Sequence, residues 1–281
     1  MATFTGTAGN NTRNGTPQSD LFDFTQGGND TLNSGAGDDT INSSAGNDVI
    51  NSGSGADVIN AGDGNNTINS GSEDDSVTSG SGNDVINAGT GDDNVNSGGG
   101  NDVINAGSGD DIVNAGAGKD VVNAGSGEDG VDGGDGDDII NAGAGDDTVS
   151  GGGDNDLING GTGEDNLDGN DGDDEINGGD DDDTIDGGAG ADRISGDEGD
   201  DDMTGGADAD VFVANGGTDT DTIQDFEDGT DLLDYSEFGD TLAGSGQAVV
   251  AGNLEITTPD GGKIILIGQT VVLTDADLTP P

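Results

Sequence analysis

Residues 80–88 read GSGNDVINA, and close relatives of this nonapeptide lie on both sides of it along the chain. Gly82 and Asp84 favour a turn, and Ile86 favours a short strand whose side chain points into a core. Val85 stands directly beside Ile86, and the side chains of a strand alternate between its two faces. If Ile86 is buried, Val85 is therefore exposed, and its presence needs an explanation other than the core.

The nonapeptide belongs to a long and regular repeat. An apolar residue recurs at every ninth position from Leu32 to Phe212, which makes 21 consecutive positions without an insertion. Asp stands two residues before each of these positions except one, where Asn66 replaces it. Gly usually stands two residues before the Asp; the exceptions are Glu73, Asp154, Asp181 and Asp208.

This period predicts an all-β fold, a roll built from two parallel sheets. Each unit supplies a Gly-rich turn and a strand of about three residues, and glycine allows positive φ and a close approach of the backbone to an ion. Successive strands are expected to alternate between two parallel sheets, so that two units make one 18-residue coil.

The C-terminal part of the chain reads differently from the repeat. DTIQDF, QAVVA, NLEITT and KIILIG are typical of strands, and TPDGGK is typical of a hairpin turn. We therefore predict three parts. They are an N-terminal cap at residues 1–29, the roll at 30–212 and a C-terminal antiparallel β cap at 213–281.

Composition restricts the possible partners. The 281 residues include 61 Asp and Glu but only four Lys and Arg, for a formal net charge of -57. Acidic chains with few apolar residues usually stay disordered. Nucleic acid and anionic membranes are not expected as partners, because both require basic surface. Divalent cations fit the charge.

The composition excludes several kinds of functional site. The chain has no Cys and no His, which excludes disulfides, thiolate ligands, the usual zinc sites and His-based catalytic triads. No apolar run is long enough for a transmembrane segment. Residues 1–30 lack the pattern of a cleaved signal peptide, so export would follow another route.

The repeated aspartates are the candidate metal ligands. Stacked one strand spacing apart they would repel each other, and a hard cation between adjacent turns, bound by carboxylates and turn carbonyls, removes this repulsion. Oxygen ligands at flexible spacing favour Ca²⁺ over Mg²⁺, and the repeat provides for up to about 19 ions. The candidate ligands are Asp30, Asp39, Asp48, Asp57, Asp75, Asp84, Asp93, Asp102, Asp111, Asp120, Asp129, Asp138, Asp147, Asp156, Asp165, Asp174, Asp183, Asp192, Asp201 and Asp210.

These residues carry a family resemblance. GGTGEDNLD (160–168) resembles the calcium-binding G-G-x-G-x-D-x-U-x repeat of RTX (repeats-in-toxin) proteins. Residues 205–239 resemble the C-terminal module of serralysin-type secreted proteases, although the chain lacks their catalytic domain. The resemblance implies a parallel β-roll, a right-handed solenoid, with Ca²⁺ in its turns. It further implies export of the unfolded chain by a type I system, with an uncleaved signal within 213–281. It also implies folding outside the cell or at its surface, where Ca²⁺ is abundant.

The roll divides into two zones of different composition. Residues 30–132 carry N[SA]GxGxD-type repeats, and residues 133–212 carry the GGxGxD type. We expect Ca²⁺ in both zones. The first-zone turns are expected to fit an ion less readily, because Ser and Ala adopt a left-handed or carbonyl-out geometry less easily than Gly does. A site near Asn66 and Glu73 is expected to be weak or missing.

One face of the roll is predicted to expose a row of aliphatic side chains. β-branched residues favour strands in general, but this bias is confined to one sheet, and a contiguous apolar patch often marks an interface. The face could dock onto another copy in an oligomer or filament, onto the folded-back cap, or onto a polysaccharide or ice surface. The predicted interface residues are Val49, Val85, Val103, Val121, Ile139 and Leu157.

The sequence therefore predicts a secreted calcium-binding structural protein of a surface layer, filament or matrix. It folds on Ca²⁺ outside the cell and is not an enzyme. The alternatives are a non-catalytic repeat module of a secreted enzyme and a polysaccharide- or ice-binding adhesin. A glycosidase that uses carboxylates alone is a further class, but the repeat places the acids, and no catalytic pair is distinguished among them.

Overall fold

The computed structural model describes residues 1–215, 217–238, 246–270, 272–274 and 277–278. Within these residues there is no α-helix, and one 3₁₀ turn lies at Ser236–Phe238. The chain divides into a first unit, Met1–Gly143, and a second unit, Ala144–Pro281. Some predicted C-terminal features lie outside the described residues, namely residues 216 and 239 of the module and residues 279–281 at the end of the segment predicted to carry the secretion signal.

The first unit is a β-solenoid in which the chain adds one strand to each of two parallel sheets in turn. The odd sheet contains β1 (Thr3–Thr5), β3 (Leu21–Asp23), β5 (Thr40–Asn42), β7 (Val58–Asn60), β9 (Ser76–Thr78), β11 (Asn94–Asn96), β13 (Ile112–Ala117) and β15 (Gly130–Asp135). The even sheet contains β2 (Thr12–Asn14), β4 (Thr31–Ala36), β6 (Val49–Ser54), β8 (Thr67–Ser72), β10 (Val85–Thr90), β12 (Val103–Ser108), β14 (Val121–Ser126) and β16 (Ile139–Ala144).

The strand register confirms the predicted 18-residue coil. β10 pairs in parallel with β12, and Ile86 lies opposite Ile104, 18 residues further along the chain. β11 pairs with β13 in the same manner, with Val95 opposite Val113. Nine-residue units therefore alternate between two sheets, as the period predicts.

Many strands are longer than the predicted three residues. β10 and β12 span six residues each, because their pairing continues through Gly89 opposite Gly107 and Thr90 opposite Ser108. The first half of each of these glycine-rich segments is therefore paired with the neighbouring strands, and only its second half leaves the sheet.

The core of the first unit lies between the two sheets. Ile50, Ile86 and Ile104 are at most 1% exposed, and the apolar residues at the other ninefold positions are buried in the same way. Aromatic side chains cluster near the N-terminus, where the ring centroids of Phe4 and Phe22 are 4.9 Å apart. Each coil thus contributes one inward aliphatic side chain per strand to a thin core.

The second unit has the same construction over its first part. Its odd strands are β17 (Thr148–Gly153), β19 (Asn166–Asp171), β21 (Thr184–Ala189), β23 (Asp202–Ala207) and β25 (Thr220–Ile223). Its even strands are β18 (Leu157–Thr162), β20 (Glu175–Asp180), β22 (Arg193–Glu198), β24 (Val211–Val213) and β26 (Leu232–Asp234).

The predicted antiparallel group at the C-terminus is confirmed. It consists of β27 (Gly246–Val250), β28 (Asn253–Thr257) and β29 (Lys263–Leu266), with β28 antiparallel to both of its neighbours. β29 also pairs in parallel with β25, which joins this group to the odd sheet of the second unit. The proposed part boundaries at 29 and 212 stay a prediction, and β1 to β3 pair within the two sheets ahead of residue 30.

Candidate metal centre

Each turn of the solenoid has six positions, illustrated by Gly-Gly-Thr-Gly-Glu-Asp at residues 160–165. Position 6 is the repeated Asp. Odd-to-even turns connect a strand of the odd sheet to the next strand of the even sheet, and even-to-odd turns make the return connection. Because the strands within each sheet are parallel, all odd-to-even turns lie along one side of the solenoid and all even-to-odd turns lie along the opposite side. Each of these two rows of turns is called an edge.

Positions 2 and 4 adopt a left-handed backbone in nearly all turns of the repeat, and Ser44 at position 2 is an exception. Gly89 and Gly91 have φ values of 120° and 123°, and a Cβ on Gly89 would overlap the carbonyl oxygen of Gly71 in the preceding coil. The exceptions at position 4 keep positive φ, with 74° at Glu73 and 77° at Asp181. Gly is therefore selected both by φ and by the close approach of neighbouring coils.

The position 6 aspartates form a buried ladder on each edge. All twenty candidate ligands are at most 3% exposed. Oδ1 of most of them accepts a hydrogen bond from the backbone amide one coil earlier, for example from Asp84 N to Asp102 Oδ1 at 2.7 Å and from Asp93 N to Asp111 Oδ1 at 2.8 Å. One carboxylate oxygen therefore joins consecutive coils.

The second carboxylate oxygen has no such partner in many turns. Buried and without a hydrogen bond are the Oδ2 atoms of Asp30, Asp39, Asp57, Asp75, Asp84, Asp93, Asp102, Asp111, Asp120, Asp165, Asp174, Asp183, Asp192 and Asp201. Burial, with a smaller contribution from neighbouring carboxylates, raises the pKa of Asp75 and of Asp183 to about 7. A buried carboxylate without a donor is unfavourable, and a cation compensates for it.

Carbonyl oxygens complete the surroundings of Oδ2. At Gly160, a Cβ would overlap Asp165 Oδ2 and would lie 2.6 Å from the carbonyl oxygen of Gly178, at position 1 of the next coil. In the described part of the chain, no three acidic side chains converge on one point. Any cation here is therefore bound by one or two carboxylates together with backbone carbonyls, a hard all-oxygen set that suits Ca²⁺.

A family sequence model for the RTX calcium-binding nonapeptide repeat matches residues 24–59, 60–95, 70–104, 96–131, 132–167, 159–194 and 186–221. The chain belongs to the RTX repeat family. Its turns are thus those of a calcium-binding repeat protein, and the unpartnered Oδ2 atoms and carbonyls fit Ca²⁺. No curated protein matches the chain.

The two RTX zones differ at position 1, although not for the predicted reason. A positive φ is found neither at Ser34 and Ala88 of the first zone nor at Gly160 and Gly178 of the second. A left-handed backbone therefore plays no part at position 1. The difference is one of space. Gly leaves room beside Asp Oδ2, whereas Ser or Ala fills that room.

Serine at position 1 also supplies a donor. Ser79 Oγ donates to the carbonyl oxygen of Ser97 at 2.9 Å, and Ser97 Oγ donates to that of Ala115 at 2.6 Å. Ser43 Oγ donates to Asp48 Oδ2. In the first zone, serine hydroxyls therefore donate to some of the oxygen atoms whose equivalents in the second zone stay available to an ion.

A second ladder, at position 5, was not predicted from the sequence. Asn83 N donates to Asn65 Oδ1 at 3.0 Å, and Asp110 N donates to Asp92 Oδ1 at 3.0 Å. This ladder points in the direction opposite to that of position 6. The sequence feature that could have predicted this ladder is the residue at position 5, which is mostly acidic on one edge. On the other edge it is Asn in five successive turns, namely Asn29, Asn47, Asn65, Asn83 and Asn101.

Three further aspartates extend the buried ladders beyond the strict period. Asp20 N donates to Asp39 Oδ1 at 2.6 Å, and Asp210 N donates to Asp231 Oδ1 at 3.1 Å. Asp221 precedes Thr222, whose amide bonds to the Asp201 carbonyl oxygen at 2.7 Å. Insertions displace these residues from the ninefold register. The sequence feature that could have identified them is the same as in the repeat, an Asp two residues before an apolar residue, here Phe22, Ile223 and Leu233.

The predicted interface residues lie exposed, each on an even strand. Val85 is 41% exposed, and Val103 and Val121 lie opposite their equivalents on neighbouring strands. Val49, Ile139 and Leu157 are also exposed. Among the described residues, no helix is long and apolar enough to cross a membrane.

Proposed function

We propose that this RTX chain is a secreted, non-catalytic structural protein that folds on Ca²⁺ outside the cell and associates with copies of itself. The observation that carries the proposal is the pair of aspartate ladders with unpartnered Oδ2 atoms beside turn carbonyls. Without cations, stacked carboxylates in a chain of net charge -57 oppose folding. With Ca²⁺ they become the bonds between coils.

Calcium is proposed as the folding switch. Low cytosolic Ca²⁺ keeps the chain unfolded and suitable for type I export, and Ca²⁺ outside the cell folds it. Far-ultraviolet circular dichroism should give a β signal in millimolar Ca²⁺ and a disordered signal in chelator. Mg²⁺ at the same concentration is the control, and we expect it to fold the chain poorly because it gives up its water ligands reluctantly. An equally folded chain in chelator would contradict the proposal.

Residues 213–281 are proposed to carry the export signal. A reporter fused ahead of this segment should leave a host that has a type I exporter, and the same reporter fused ahead of residues 30–132 should stay inside. Equal export of the two fusions would remove the support for a signal in the C-terminal part.

The exposed face of the even sheet in the first unit is the proposed contact between copies. Its outward residues from β6 to β14 are Val, Thr and Asn, and no charged side chain lies among them. Asn side chains bond along this face, for example from Asn123 Nδ2 to Asn105 Oδ1 at 2.8 Å. The face is thus uncharged and regular in a very acidic chain, which favours a second identical face over a charged partner.

The size of this face predicts a weak contact. Five strands at about 4.8 Å spacing, each presenting about 10 Å of its length, give roughly 240 Å² on each partner. A stable interface buries about 1,200 Å² or more in total. We therefore expect association to need a high protein concentration and edges neutralised by Ca²⁺.

A triple substitution tests the contact. Val85→Thr, Val103→Thr and Val121→Thr together keep β-branched side chains but make the row polar, and light scattering in Ca²⁺ should then show less association than in the wild type. Val58→Thr with Ile112→Thr is the matched control, because both residues are exposed on the odd sheet. Unchanged association of the triple variant would eliminate this face as the contact.

A further inference from the structure

One turn of the first unit is closed by an amide side chain. Asn66 stands where the repeat has Asp, and it is 1% exposed. Its Nδ2 donates to the carbonyl oxygens of Gly62 and Gly64, each at 3.1 Å, and to that of Ser79 at 3.3 Å. Gly62 and Gly64 are positions 2 and 4 of its own turn, and Ser79 is position 1 of the next odd-to-even turn.

The same side chain keeps its place in the ladder. Asn66 Oδ1 accepts from Asp48 N at 3.0 Å, as the Oδ1 of an aspartate does elsewhere. Nδ2 therefore stands in the place of Oδ2. Three carbonyl oxygens that surround this place receive hydrogens from the amide instead of facing a negative oxygen.

Asn11 provides an independent instance in the first turn of the chain. The turn at residues 6–11 reads GTAGNN, with Asn11 at position 6. Asn11 Nδ2 donates to the carbonyl oxygens of Thr7, at 3.1 Å, and of Gly9, again positions 2 and 4. It also donates to Asp30 Oδ1 at 2.8 Å. Two turns more than 50 residues apart thus share the donation from an Asn amide at position 6 to the carbonyl oxygens of positions 2 and 4.

The aspartate turns lack these hydrogens. Asp84 Oδ1 accepts from Asn66 N at 2.6 Å, so Asp84 is the next member of the same ladder, and its Oδ2 is buried without a partner. An aspartate at this position needs a positive charge that binds carboxylate and carbonyl oxygens together. An asparagine needs none, because its amide group carries no charge and supplies two hydrogens.

We propose that the turns at residues 6–11 and 61–66 are ion-free turns, in which the Asn amide replaces the carboxylate and Ca²⁺ that together close an aspartate turn. The proposal rests on calcium binding by the aspartate turns and adds that specific turns take no ion. The coil that contains Asn66 consequently depends less on Ca²⁺ than its neighbours do.

Asn66→Asp converts this turn into an aspartate turn. Native mass spectrometry of the full chain in saturating Ca²⁺ should show one more bound ion per chain than in the wild type. Asn65→Asp is the matched control, because Asn65 is adjacent and exposed and the substitution adds the same charge. Its ion number should equal that of the wild type.

The outcomes separate this inference from the function on which it rests. Equal ion numbers in Asn66→Asp and the wild type, or an Asn66→Asp chain that stays unfolded in excess Ca²⁺, overturn the ion-free turn. A wild-type chain that binds no Ca²⁺ overturns calcium-dependent folding itself.

A second variant tests the role of Asn66 without adding a ligand. Asn66→Ala removes the three donated hydrogen bonds and should leave the ion number unchanged, while amide hydrogen exchange in residues 61–66 becomes faster. A lost ion in Asn66→Ala would mean that Asn66 binds calcium, and it would overturn the inference.

Discussion

The presence of a side chain at position 1, Ser or Ala, distinguishes most first-zone RTX turns from the second-zone turns with Gly there. Position 1 is buried in both zones, and its side chain, where it has one, points towards the Oδ2 of the aspartate five residues later. Gly at this position leaves space next to a charged oxygen, and Ala fills that space with an apolar group. The residue at position 1 therefore controls how much room an ion has.

Gly160→Ala should weaken the second-zone turn at residues 160–165. The new Cβ would overlap Asp165 Oδ2 and approach the Gly178 carbonyl oxygen, so we expect a loss of about 1–3 kcal/mol in the free energy of unfolding in Ca²⁺. Calcium-dependent denaturant unfolding provides the measurement. Gly130→Ala is the control, since its Cβ would meet only the Asp111 carbonyl oxygen, at 4.0 Å. Equal effects of the two substitutions would remove the steric explanation.

At the scale of the coil, stability comes from two ladders of opposite direction. Position 6 side chains accept from the amide of the preceding coil, and position 5 side chains accept from the amide of the following coil, as in the pair Asn65 and Asn83. Where position 5 is Asn or Asp, the interface between two coils is therefore closed at both positions of a turn. The buried ladder carries charge, whereas the exposed ladder works equally well with Asn or Asp.

The buried ladder gives the ion-free chain an inverted pH dependence. Burial and neighbouring carboxylates raise the pKa of Asp111 and of Asp120 from 3.8 to about 7 in the folded state. Between about pH 4 and 7 the folded chain thus binds more protons than the unfolded chain, so its stability falls as the pH rises through this window. In chelator, circular dichroism should show more β structure at pH 5 than at pH 8.

Calcium should reverse this dependence. Protons compete with Ca²⁺ for the same carboxylates, so the calcium affinity should rise with pH over the window in which the ion-free stability falls. A calcium titration at pH 5 and at pH 8 measures the difference. An ion-free chain that is more ordered at pH 8 than at pH 5 would contradict the assigned burial of these aspartates.

The period of the sequence determines most of this architecture. Nine-residue spacing of residues such as Ile86 and Val95 predicts alternating strands, and Asp at fixed spacing predicts the ladder. The two roles of the Asn66 amide were not predictable, because they depend on which carbonyl oxygens the neighbouring coil brings within 3.3 Å. The same holds for Asp231, since the insertion ahead of it conceals its register.

At the scale of the whole chain, repulsion between charges and hydrogen bonding in the turns make separable contributions to folding. A net charge of -57 expands the unfolded chain, and its radius of gyration should be about 60 Å or more in chelator at pH 8. At about 1 M NaCl the screening length is about 3 Å, which removes most of the repulsion between exposed charges. The buried Oδ2 atoms would still lack a partner.

Sodium chloride should therefore contract the chain without folding it. Small-angle scattering in chelator should show a smaller radius at high salt, while circular dichroism stays that of a disordered chain. Millimolar Ca²⁺ should produce both contraction and β structure. A β signal in NaCl alone would show that general screening, and not ion binding in the turns, is what folding requires.

Within each unit, a coil is bonded mainly to the coils before and after it, through parallel strand pairs 18 residues apart. This construction determines how the protein responds to a mechanical load applied at its ends. Coils should detach one at a time, and each should release 18 residues, or about 60 Å of chain. The coil left at the end remains a template with its ladder positions open, so a relaxed chain can rewind onto it in the presence of Ca²⁺.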